Sequence, residues 1–182
     1  MILKRVRSGK FKLRASDLLD LNRVALDGLS TEAGVFRRQS VRIETAEHLP
    51  PRWEKVPTLV DDMCDYVNDN WSKTAVHLAA FLMWRLNWIH PFVDGNGRTS
   101  RAISYLVLCT RAGYLLPGEN TVPELIARDR KPYYDALVEC DRNFRAVAGN
   151  DEPTFDILPM EELMKQLVAK QLADVARDLG VL

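Results

Sequence analysis

The sequence predicts an all-α fold, a helical bundle around a central helix–loop–helix, with one small β-hairpin flap. Three observations predict it. Apolar residues recur at helical spacing through most of the chain. Residues 75–89 are apolar nearly all round, as in a helix packed on every side. Only residues 36–47 alternate, weakly, in the manner of strands.

Residues 16–29 read as the first helix: Ser16 or Asp17 caps it, and Leu18, Leu21, Ala25 and Leu29 share a face. Gly34 marks a turn, and Phe36, Val41 and Ile43 are the β-type positions of the flap. Pro50 and Pro51 stop regular structure. Helical spacing returns over residues 56–70, with Leu59, Met63, Tyr66 and Val67 on one side. Ser72 is placed to cap the central helix, which runs to about Ile89. A loop over residues 91–97 leads to a second largely apolar helix, 98–112, carrying Ile103, Leu106, Val107 and Leu108. Gly113 and Pro117-Gly118 punctuate the chain. Helices follow over 123–128 and 131–144, the latter turning Tyr134, Leu137 and Val138 inward. Residues 160–179 form a last amphipathic helix.

The 182 residues suit one domain over positions 1–182, and no linker or internal repeat divides them. Basic and acidic side chains balance at 25 each, so no global pull toward nucleic acid or an anionic membrane is indicated. Lys4, Arg5, Arg7, Lys10, Lys12 and Arg14 precede the first acidic residue, Asp17. Residues 1–15 read as a solvated terminus or, alternatively, as a basic arm for an acidic partner or nucleic acid. Cys64, Cys109 and Cys140 lie far apart without metal-type pairing, which suggests reduced thiols in the cytoplasm. The start lacks the order of a signal peptide, and Arg85 and Asn87 interrupt the longest apolar stretch, which is too short to span a bilayer. His48 and His77 have no companion ligands at useful spacing and read as structural, and Trp71, Trp84 and Trp88 read as core.

The informative segment runs His90-Pro91-Phe92-Val93-Asp94-Gly95-Asn96-Gly97-Arg98-Thr99-Ser100-Arg101. Pro91 disfavours helix at His90, so the preceding helix ends there. Asp94-Gly95 and Asn96-Gly97 are turn dipeptides whose glycines let backbone N–H groups converge. The helix that starts next aims its unpaired N–H groups and positive dipole end into the loop, a ready anion site. Arg98 and Arg101, three apart, add forked donors suited to phosphate. Asp94 supplies a hard carboxylate of the kind Mg²⁺ takes singly beside phosphates. His90, with an ordinary pKa of about 6.5, has a proton-accepting form available. A base, a metal site, a phosphate cradle and two cations together suggest phosphoryl-type transfer, which needs positioning and charge stabilisation.

This segment resembles the signature of the Fic family, H-P-F-x-[D/E]-G-N-G-R-x-x-R, with every specified position filled. Gly34-Val35-Phe36-Arg37 is similar to the run preceding the Fic flap, Val41-Arg42-Ile43 and Leu49-Pro50-Pro51 to the flap and its exit, and residues 130–137 to a later segment. The similarity spans about residues 30–145. It implies a protein adenylyltransferase that moves AMP from ATP to a Tyr, Thr or Ser hydroxyl of a target protein and releases pyrophosphate. His90 would be the general base, Phe92 the buried anchor and Asp94 the Mg²⁺ ligand. Gly95, Asn96 and Gly97 would cradle the phosphates, with Arg98 and Arg101 on the distal ones. Val41, Arg42 and Ile43 would dock the target as a strand. Gly97, where Doc-type relatives carry Lys, favours nucleotidyl over phosphate transfer.

The family's inhibitory pattern, [S/T]-x-x-x-E-[G/N], has no complete match: Ser40–Glu44 is followed by Thr45, and Glu119-Asn120 is preceded by Leu115. A separate inhibitory protein is therefore one expectation, absence of such control the other. Relatives using another donor, such as UMP or phosphocholine transfer, and a non-catalytic binding module with the same fold remain alternatives. Toxin, secreted effector and housekeeping regulator are equally open.

Overall fold

A computed structural model describes residues 11–43, 47–147 and 156–180. Seven α-helices form among them: α1 (Ala15–Ala25), α2 (Val56–Asp69), α3 (Ala75–Ile89), α4 (Asn96–Ala112), α5 (Val122–Arg128), α6 (Lys131–Val147) and α7 (Leu158–Asp178). A single 3₁₀ turn, Trp53–Lys55, leads into α2. None of these helices is long and apolar enough to cross a membrane.

The all-round apolarity of residues 75–89 is explained by position. α3 lies at the centre and packs most extensively on α4, then on α7, α2 and α6. Every residue from Leu78 to Leu86 is buried, including Arg85. The Arg85 guanidinium sits over the rings of Trp88, at 4.2 Å, and Phe144, at 5.2 Å. Aromatic faces thus take the charge that breaks the apolar stretch, and burial lowers its pKa to about 10. Trp84 is fully packed, and Trp71 and Trp88 lie against the same core.

Several boundaries differ from the sequence reading, each for a local reason. α1 ends at Ala25, and a turn over the next four residues leaves Leu29 exposed while Leu26 takes the core place. Asp17 works from inside the first turn of α1, accepting the Arg14 N–H at 3.0 Å. Thr74, not Ser72, caps α3, accepting the His77 N–H at 3.1 Å. On α6 the inward residues are Tyr133, Ala136 and Cys140, whereas Tyr134 and Val138 are exposed. The apolar edge of α6 borders a cavity there, not the core.

The β-hairpin flap does not form among the described residues: 36–43 carry no strand. Two backbone groups at the start of the strip are used elsewhere. The Arg37 N–H donates to the Pro91 carbonyl at 2.9 Å, and Gln39 presents its carbonyl to the Arg37 guanidinium at 3.0 Å. The segment is pinned to the end of α3 rather than folded on itself. Lys4, Arg5, Arg7 and Lys10, together with residues 44–46 of the flap, lie outside the described residues; Lys12 and Arg14 are exposed.

The histidines outside the loop are engaged structurally. His48 is buried, with Nε2 2.8 Å from the Trp88 carbonyl. His77 joins three helices: Nδ1 lies 2.6 Å from Glu161 of α7 and Nε2 2.9 Å from the Tyr66 hydroxyl of α2. The three cysteines are buried and unpaired with one another.

Candidate active site

α3 and α4 meet end to start through residues 90–95, and four devices hold this turn. His90 closes α3 in the left-handed conformation, φ 51° and ψ 59°, the one non-glycine residue with positive φ among those described. Gly95 begins α4 with φ 79°, where a Cβ would stand 2.9 Å from the Asn22 side chain. Phe92 is buried beside Phe36, ring centroids 5.6 Å apart. Asn96, buried, then grips the loop by its side chain: Oδ1 accepts the Phe92 N–H and Nδ2 donates to the Phe92 carbonyl, both at 2.9 Å.

Two distant residues complete the support. Asn22 of α1 donates to the Asp94 carbonyl at 3.1 Å and to Thr99 Oγ1 at 3.2 Å, and accepts the Gly34 N–H at 2.8 Å. Arg37 is buried and spends its guanidinium on carbonyls: His90 at 2.7 Å, Pro51 at 2.6 Å, Gln39 at 3.0 Å and Ile89 at 3.3 Å. It thereby satisfies the last carbonyls of α3, which the helix cannot pair itself. No local pattern reveals Asn22; Arg37 was visible only as the last residue of the G-V-F-R run.

Helical bonding in α4 begins with the Thr99 N–H to the Gly95 carbonyl, at 2.8 Å. The N–H groups of Asn96, Gly97 and Arg98 are therefore left over by the helix. They front a cavity of about 510 Å³ whose wall includes His90, Asp94, Gly95, Gly97, Arg98 and Arg101. The cations differ. Arg98 donates to the Ala25 carbonyl and to Asp94 Oδ2, each at 3.0 Å. Arg101 has no hydrogen bond or ion pair among the described residues. Asp94 has a largely exposed carboxylate, and its Oδ1 also accepts the Gly95 N–H.

His90 stands at the junction of this cavity with a second, of about 200 Å³. Trp88, Tyr133, Tyr134, Leu137, Val138 and Ile43 give the second cavity an apolar lining, with Asp141 and His48 at its polar points. Beneath the junction, Asn87 Nδ2 donates to Ser100 Oγ at 2.8 Å and to the Tyr133 hydroxyl at 2.7 Å. Asp141 is held by Trp84 Nε1 at 2.8 Å.

The His90 ring is oriented by its own helix. Nδ1 lies 3.3 Å from the Asn87 carbonyl. A carbonyl only accepts, so Nδ1 carries the proton and Nε2 keeps the lone pair. Burial pushes the His90 pKa down to about 4, and the charges of Arg37 and His48 add to the effect, against the Asn87 bond. The imidazole is neutral at ordinary pH.

The same residues are matched by the model of the Fic/DOC family, which covers residues 12–108. The chain belongs to the Fic/DOC family. Over 157 residues, 81% of the chain, it is 37% identical to the protein adenylyltransferase Fic of Drosophila willistoni and 38% identical to that of Drosophila melanogaster. It spans about 30% of the length of these Fic relatives. A Fic-domain-containing signaling protein from Bacteroides thetaiotaomicron shares the fold with a TM-score of 0.75 at 26% identity, over 94% of this chain and 65% of that one. Fic-1 of C. elegans gives 0.63 at 23%, over 92% and 45%. The Fic helical fold thus accounts for the bundle.

Proposed function

We propose that this Fic-type domain, read as one unit of the HPFxDGNGRxxR subclass, transfers the AMP part of ATP to a Tyr, Thr or Ser hydroxyl of a target protein. One juxtaposition carries the reading: unpaired N–H groups and the unengaged Arg101 face the same space as a neutral imidazole with its lone pair on Nε2. An apolar cavity beside the phosphate site is suited to a nucleobase, with Tyr133 and Tyr134 in its wall. The likeness to proteins named adenylyltransferases supports AMP over the alternative groups.

The chemistry follows from these positions. His90 Nε2 takes the proton of the target hydroxyl. The oxygen attacks the α-phosphorus, and the bond to the β-phosphate oxygen breaks to release pyrophosphate. Backbone N–H groups of Asn96 and Gly97 hold phosphate oxygens, while Arg98 and Arg101 bear the leaving charge. Asn96 contributes its backbone only, because its side chain closes the loop.

Mg²⁺ fits the donor set. No group of three metal-type side chains occurs among the described residues, but Asp94 is a lone carboxylate on a phosphate site, and Mg²⁺ commonly takes one or two with substrate oxygens. When bound, the ion neutralises phosphate charge. Asp94 would exchange its pairing with Arg98 for the ion, freeing Arg98 for phosphate.

The target would lie along residues 41–43. No backbone group of residues 40–43 is paired among the described residues, so Val41, Arg42 and Ile43 offer an edge to an extended segment. A separate inhibitory protein would sit in the apolar groove of about 380 Å³ between α1, α4 and α5, which ends at Arg98 and Arg101. A helix bearing one Glu would fit there. Such a peptide should suppress labelling, and equal suppression by its Gln version would contradict this placement. The buried, unpaired cysteines fit a reducing cytoplasm.

The test offers ATP, UTP and a phosphocholine donor separately to the purified chain with candidate lysates, followed by mass spectrometry. AMP on hydroxyl side chains is expected, absent with His90→Ala. Another transferred group would replace the donor assignment.

A further inference from the structure

We propose that Arg130 is a third cation of the phosphate site and selects triphosphates over shorter donors. The inference rests on the nucleotide reading above and goes beyond it, because Arg130 lies outside the loop.

Arg130 lines the 510 Å³ cavity together with Gly97, Arg98 and Arg101 of α4. Its side chain is exposed and has no hydrogen bond or ion pair among the described residues. Neighbouring charges are already engaged: Lys131 pairs with Asp135 at 2.6 Å, and Arg98 with Asp94 at 3.0 Å. The Arg130 carbonyl accepts the Tyr134 N–H at 3.0 Å, so Arg130 stands at the N-terminal boundary of the 17-residue α6. A cation there opposes the helix dipole. Its placement is unfavourable for α6 alone and is offset once an anion enters.

Charge accounting in the cavity gives the ligand class. Asp94 and Arg98 pair with each other until Mg²⁺ takes Asp94. Arg101 and Arg130 are unpaired among the described residues throughout, and the amino end of α4 lines the same cavity. Position gives the selectivity. His90, Gly97, Arg101 and Tyr134 belong to both cavities, whereas Arg98 and Arg130 belong only to the one away from the apolar pocket. A nucleoside in the apolar cavity sends its first phosphate past the shared residues and its last phosphates toward Arg98 and Arg130. Arg130 therefore reads chain length.

Calorimetric titration of ATP, ADP and AMP with Mg²⁺ into the wild type, Arg130→Ala and Arg128→Ala tests this. Arg128 is exposed and lines none of these cavities. Arg130→Ala should weaken ATP about tenfold and ADP by less, leave AMP within about twofold, and keep the thermal midpoint. Arg128→Ala should match the wild type. Unchanged ATP affinity in Arg130→Ala, or an equal loss for all three ligands, overturns the role of Arg130 alone. A wild type that binds none of the three overturns the nucleotide reading as well.

Discussion

At the scale of single residues, His90 combines a strained backbone with a tuned ring. Its left-handed φ is one that Asn tolerates better than Ala. His90→Ala should lower turnover by about 10²-fold or more with little change in nucleotide affinity. His90→Asn should do the same with a smaller loss of stability. A wild-type rate in either variant contradicts the role of base. The depressed pKa has a thermodynamic counterpart. Between pH 6.5 and 4 the unfolded chain binds a proton that the folded His90 refuses, so stability is lost as pH falls through this window and levels below it. The contribution is on the order of 3 kcal/mol. NMR titration of the imidazole should find the low pKa, and chemical denaturation of wild type against His90→Asn should show a shallower pH slope in the variant. A ring titrating near its ordinary value would contradict the burial argument. Arg37→Met should cost about 3 kcal/mol in the same assay, since four carbonyls lose their donor. A loss under about 1 kcal/mol would mean that water replaces it.

At the scale of elements, two glycines two residues apart do different work. Gly95 needs its positive φ, and a Cβ there meets Asn22 and Leu26. Gly97 would bring a Cβ against the far end of Arg101 only, at 3.3 Å. Gly95→Ala should lower thermal stability by roughly 1–3 kcal/mol, whereas Gly97→Ala should leave stability nearly unchanged and weaken nucleotide binding by displacing Arg101. Equal thermal shifts in the two variants would refute the distinction. The helices themselves were readable because apolar spacing and burial are one pattern: α2 and α3 differ from their expected spans by a few residues at most. The hairpin was misread because alternation over 36–43 does not reveal that Arg37 commits this strip to the end of α3. Tyr134 and Val138 were misread for a related reason, since an apolar position facing a cavity has the same sequence signature as one facing a core.

At the scale of the whole molecule, the turn over residues 90–95 joins the two most deeply packed helices, α3 and α4, so a rigid scaffold carries the irregular backbone of the candidate site. That the loop residues gather around one cavity was legible because the twelve residues are contiguous. Asn22, 72 residues before Asp94, and Arg130, beyond α5, reach the site only through the tertiary fold, which no local pattern encodes. The proposed function turns on one event, attack at the α-phosphorus with the imidazole opposite the helix start. Transfer of radiolabel from ATP measures it most directly. Label at the α-phosphate should pass to protein, label at the γ-phosphate should not, and neither should pass with His90→Asn. Transfer of γ-label, or α-label that persists undiminished in the variant, would contradict the account.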